Sequence, residues 1–157
     1  MKKWLFSNSI KDPVASFAVL FLRTAIGSMM LLGHGWGKYQ NFSTLQEKFL
    51  VPDIDILSSW MNSTTSLACT IFAEVICAAL LVLGLATRPA ALIFSFTMAI
   101  AAFVVHQDAP FFFGPGVAQS KELAVLYLVG GLTLLITGGG SYSLDAKFSV
   151  PKRRMFS

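Results

Sequence analysis

Four long apolar runs, each interrupted by only a few ionisable residues, decide what this chain can become. They extend from about Val14 to Gly37, Ser66 to Ala86, Pro89 to His106 and Lys121 to Gly138. A helix crosses a bilayer with about 20 predominantly apolar residues, so each run has roughly the length of a transmembrane span. Hydrophobic residues make up 55% of the 157 positions and charged residues only 13%, against about 25% charged in an ordinary soluble domain. The expected fold is all-α: a polytopic membrane protein, an antiparallel bundle of four transmembrane helices. Residues 1–157 then form a single membrane domain with no room for a soluble one.

Local punctuation agrees with this division. Pro13 and Pro89 suit helix starts, where the missing N–H costs nothing, and Gly138-Gly139-Gly140 stops the fourth run. Thr87-Arg88 alone would join spans two and three as a tight hairpin. Two connections are longer. Tyr39–Thr65 would lie along the interface or form a short helix, and Gln107–Ser120 carries Phe111-Phe112-Phe113, whose rings suit a headgroup region. The basic N-terminus leads to no small-residue cleavage site, which argues against a cleaved signal peptide.

Charge sets the expected orientation. With the N-terminus inside, Lys2, Lys3, Lys11, Arg88, Lys147, Lys152, Arg153 and Arg154 fall on the cytoplasmic side, and Lys38, Lys48 and Lys121 on the other. That asymmetry favours an N-in, C-in arrangement in a bacterial cytoplasmic (inner) membrane. The formal net charge of +4 resides mostly at the chain ends, so it reads as topology-setting charge and excludes a nucleic-acid partner. The lipid bilayer is the expected surrounding. Gly130-Gly131 and the small residues Ala73, Ala78 and Ala79 permit close helix packing within the chain or in a homo-oligomer.

Ionisable residues within the runs are the candidate functional groups, because charge in hydrocarbon is costly and usually partnered. Arg23, His34 and Lys38 lie on the first run, Glu74 on the second, His106 at the end of the third, and Lys121 and Glu122 at the start of the fourth. Arg23 and His34 are eleven residues apart, close to three helical turns, and share a face. Counting from the cytoplasmic ends, Arg23 is roughly 14 Å deep and Glu74 roughly 18 Å at 1.5 Å per residue. An Arg23–Glu74 pair is therefore expected near mid-membrane, as the floor of an outward-opening pocket ringed by His34, Lys38, His106, Lys121 and Glu122. Such a vestibule could bind an anion or a polar head, or exchange protons through its histidines.

Other chemistry finds little footing. Cys69 and Cys77 are more than two turns apart on one run, too far for a disulfide between them. No HxxxH or ExxH spacing sets metal ligands on one helix face, and neither a phosphate loop nor a nucleophile motif occurs.

Three stretches together resemble the DoxX family. They are FLRTAIGSMMLLGHGWGKY (Phe21–Tyr39), FAEVICAALLVLGLATRPAAL (Phe72–Leu92) and KELAVLYLVGGLTLLITGGGSYSLDAKF (Lys121–Phe148). The resemblance spans about residues 15 to 148 and implies a four-helix integral membrane protein. It transfers Arg23, His34, Lys38, Glu74, Arg88, Lys121, Glu122 and Asp145 as family positions. Relatives in that family include a subunit of a thiosulfate:quinone oxidoreductase, members linked to quinone or catechol stress, and a member associated with a membrane oxidoreductase complex.

The leading expectation is a quinone-interacting oxidoreductase subunit or accessory. His34 and Glu74 would bond the quinone carbonyls and relay protons, and Arg23, Lys38, His106, Lys121 and Glu122 would complete the binding site. No cofactor is expected to be covalently bound. Electrons would come from a soluble or membrane redox partner, or from the substrate. A small-solute or anion permease and a non-catalytic scaffold are the alternatives.

Overall fold

The computed structural model describes residues 10 and 12–149, and their regular structure is entirely helical. Four helices form the body: α1 (Pro13–Gln40), α4 (Ser63–Leu83), α5 (Thr87–Val105) and α6 (Glu122–Thr137). Two short helices, α2 (Phe42–Leu45) and α3 (Asp55–Ser58), sit in the first long connection, and α7 (Leu144–Ser149) follows α6. The first three body helices are long and apolar enough to cross a membrane. The fourth has 16 residues, roughly 24 Å at 1.5 Å per residue.

Each boundary has a local cause. Asp12 caps α1 by accepting the Ala15 N–H at 2.7 Å, and Pro13 occupies the first turn. Asn62 and Thr65 form a reciprocal capping box on α4. That helix stops at Leu83, three residues before the expected Ala86, because Gly84 turns left-handed at φ 67°. A Cβ at Gly84 would also fall 2.6 Å from the Ser143 Cβ and 2.8 Å from the Arg23 guanidinium carbon. Helix α5 starts at Thr87, two residues before Pro89, so the true link is Gly84-Leu85-Ala86. Thr87 and Arg88 belong to the helix.

The early start of α5 depends on a distant side chain. Asp145 Oδ1 accepts the Ala86 N–H at 2.7 Å and Oδ2 accepts the Thr87 N–H at 2.8 Å. These bonds hold Ala86 at φ 47°, a left-handed conformation that non-glycine residues seldom adopt. Asp145 is itself buried. Replacing Asp145 by alanine strands two amide donors, at an expected cost of about 2–3 kcal/mol. The measurement is the thermal midpoint of detergent-solubilised protein, and an unchanged midpoint would refute this role.

At one end of the bundle, here called the base, α1 begins, α4 ends, α5 begins and α6 ends. Arg88 donates from Nη2 to the Ile136 carbonyl at 3.0 Å, and the Ser16 and Ser141 hydroxyls meet at 3.0 Å. The long connections lie at the opposite end, the mouth. Helices adjacent in sequence are antiparallel, and α5 and α6 pack closely along their lengths. Met30, Cys77, Leu81, Ala91, Phe94 and Leu134 form the center of the core. Phe21, Leu32, Phe96, Phe103, Leu126 and Ile136 point outward and are exposed. Apolar surface on that scale is foreign to a soluble monomer and suits lipid. Of the charges invoked for orientation, Lys2, Lys3, Lys11, Lys152, Arg153 and Arg154 lie outside the described residues.

Candidate functional site

The three longest helices each carry one π-helical stretch: Leu31–Gly35 in α1, Phe72–Cys77 in α4 and Ala101–Val105 in α5. A π-turn accommodates one extra residue and often marks a functional site. On α1 the buried positions are Ser16, Val19, Arg23, Gly27 and Met30, in steps of three and four. The next buried position is Gly35, five residues on. A regular helix would place position 34 there. The extra residue instead sets Gly35 against α4 and frees the half-buried His34 to face the bundle's interior space. Only glycine fits at this crossing, because a Cβ on Gly35 would lie 2.7 Å from the Glu74 carbonyl oxygen.

That interior space is a cavity of about 390 Å³ near the mouth, lined by residues of α1, α4, α5, α6 and the first long connection. His34, Lys38, Glu74 and His106 all line it, as expected from the sequence. Met30, Met98, Leu123 and Val105 contribute apolar wall. Lys38 Nζ donates to Glu74 Oε2 at 2.5 Å. The Glu74 side chain is 7% exposed and that of Lys38 26%, so the carboxylate is held inside while the lysine reaches in from a wetter position.

The expected Arg23–Glu74 pair is therefore not formed. Arg23 donates through Nη1 to the Leu81 carbonyl at 3.0 Å and to the Val82 carbonyl, and through Nη2 to the Tyr142 carbonyl at 2.8 Å. It bonds carbonyls at the end of α4, where the Leu81 carbonyl also accepts the Gly84 N–H at 3.1 Å, and one in the segment after α6. The reason is vertical offset. The first turns of α1 extend past the end of α4, which places Arg23 level with Leu81 and Val82. Glu74 is seven residues away along α4, roughly 11 Å at 1.5 Å per residue. Arg23 thus belongs to the base, together with Arg88 and Asp145, and does not floor the pocket.

Lys121 and Glu122 also depart from expectation, since neither lines the cavity. Lys121 Nζ donates to the Gln107 carbonyl at 2.7 Å, and Glu122 Oε2 accepts the Phe113 N–H at 3.0 Å. They close the second long connection onto the start of α6. Phe111, Phe112 and Phe113 remain exposed.

The first long connection covers the cavity instead, through Leu45, Lys48, Phe49, Leu50 and Pro52. Ser63 and Ser66 at the start of α4 pin it by donating to the Phe49 and Leu50 carbonyls, each at 2.7 Å. Tyr127, which is not among the residues expected at the site, is 5% exposed and lines the cavity. Its ring stands edge-on to His34, with centroids 5.9 Å apart, and to Phe94 at 6.2 Å. The available signal was a lone aromatic with a polar tip inside the otherwise aliphatic Leu123–Ile136 stretch.

A lipid-facing helical bundle with a partly polar cavity at one end defines a class of small integral membrane proteins. Within that class, the chain belongs to the DoxX family, whose model matches residues 18–107. An uncharacterized protein of Haemophilus influenzae is 32% identical over 134 residues, covering 84% of this chain and 91% of that protein. No solved structure matches.

Proposed function

We propose that this chain is a quinone-interacting membrane subunit or accessory of an oxidoreductase system, seated in a bacterial cytoplasmic membrane with both termini in the cytoplasm. The observation that carries this reading is the mouth cavity, where apolar walls converge on His34 and the Lys38–Glu74 pair. Small-molecule sites commonly have about 300–1,000 Å³, mostly apolar lining and a few orienting polar groups. Lys38 and His34 can donate to ring carbonyls, while His34 and Glu74 are groups that can carry protons. A quinone ring supplies two-electron, two-proton chemistry when bound, and the electrons enter from a redox partner protein. Anion permeation draws less support, because Glu74 pairs with Lys38, one of the two lysines that line the cavity, and places a carboxylate there.

The test is saturable binding of a short-chain benzoquinone to protein in nanodiscs, followed by reductant-dependent turnover in membranes. Glu74→Gln keeps the shape but leaves Lys38 without its carboxylate, and should weaken binding by about tenfold, the equivalent of 1.4 kcal/mol. Wild-type protein that neither binds nor turns over the quinone would end this reading.

A further inference from the structure

The cavity contains a polar group that nothing above employs. Tyr127 is 5% exposed, borders the cavity and makes no hydrogen bond with another described residue. Among the described residues the hydroxyls of Thr87 and Ser95 are sealed away without partners, whereas that of Tyr127 is not sealed away. The Tyr127 ring is fixed between Phe94 and His34, both in edge-on contact. A buried phenol ordinarily finds a partner for its O–H, so one held between two rings without a partner among the described residues is poised for a ligand. Polar side chains therefore line the cavity from three helices: His34 and Lys38 of α1, Glu74 of α4 and Tyr127 of α6. Apolar wall from Met30 and Met98 completes the lining.

We propose that Tyr127 is a ligand-binding residue whose unpartnered hydroxyl donates a hydrogen bond to an acceptor oxygen on a planar ring held in the mouth cavity. This rests on the quinone reading and narrows it. The preferred ligand carries a carbonyl acceptor on a planar ring within reach of Tyr127, in the same cavity that the Lys38–Glu74 pair lines. The Tyr127 ring also packs edge-on against His34, so loss of the ring and loss of the hydroxyl have separate consequences.

The experiment compares wild type, Tyr127→Phe and Tyr127→Leu in nanodiscs, each titrated with a short-chain benzoquinone and with the matching alkylbenzene that lacks both oxygens. Tyr127→Phe should weaken benzoquinone binding about five- to tenfold, the range of one neutral hydrogen bond, and leave alkylbenzene binding unchanged. Tyr127→Leu should weaken both. The thermal midpoint of Tyr127→Phe without ligand should equal that of wild type, because the hydroxyl has no partner to lose among the described residues. A lowered midpoint would show that the hydroxyl is used within the fold, and would overturn the assignment. If wild type binds benzoquinone and Tyr127→Phe binds it equally well, the Tyr127 assignment falls while the quinone reading stands. If wild type binds no benzoquinone, both fall.

Discussion

Arg23→Met is expected to destabilise the bundle by on the order of 4 kcal/mol, more than any substitution at the mouth cavity. Methionine retains much of the stem but none of the donors. Three carbonyls, those of Leu81, Val82 and Tyr142, lose a charged partner at once, and hydrogen bonds to charged groups each contribute about 1.5–3 kcal/mol. Arg23 is 2% exposed, so water cannot readily replace its guanidinium. Denaturant titration of the detergent-solubilised protein measures the loss. A double-mutant cycle separates the two possible partners of Glu74. Arg23→Met and Glu74→Gln should add to within about 0.5 kcal/mol, as independent sites do. Lys38→Met and Glu74→Gln should not add, because their side chains touch. Strong coupling between Arg23 and Glu74 would contradict the geometry described here.

The second large effect is expected at Gly35. Gly35→Ala places a methyl carbon 2.7 Å from the Glu74 carbonyl oxygen and 2.8 Å from a Val75 methyl. The nearest obstacle is backbone, so no rotamer change relieves it, and α1 must move away from α4. Overpacking typically costs 1–3 kcal/mol, and about 3 kcal/mol is expected here. The displacement also separates Lys38 from Glu74, so ligand binding should be lost together with stability. Gly33→Ala is the control, since a Cβ there meets nothing within 4 Å. Equal thermal midpoints for the two variants would refute the close crossing.

The number, order and approximate extent of the four body helices were legible because long apolar runs carry that information directly. The exact limits of α4 and α5 were not. Gly84 was a visible stop signal, but the start of α5 depends on Asp145, a cap 58 positions away from Thr87. No local pattern announces a cap that arrives from another part of the chain. The candidate site was legible as chemistry, in that His34, Lys38, Glu74 and His106 do gather at one cavity. Their pairing was not, because the depth argument assumed that α1 and α4 end at the same level. Once α1 overshoots α4, Arg23 meets helix-end carbonyls and Lys38 inherits Glu74. The π-turn at Leu31–Gly35 was also hidden, since an added residue in a helix changes the facing of side chains without a compositional mark. It is the reason His34 faces the cavity while Gly35 takes the crossing.

The capping of α5 by Asp145 bears on how the protein is made. Ribosomes deliver residues in order, so Ala86 and Thr87 emerge long before the carboxylate that satisfies their amides. Until translation reaches the α7 segment, the α4–α5 hairpin carries two open donors and a strained residue. A segment synthesised well after the hairpin therefore completes its link, and a product cut short after Thr137 lacks the carboxylate that caps α5.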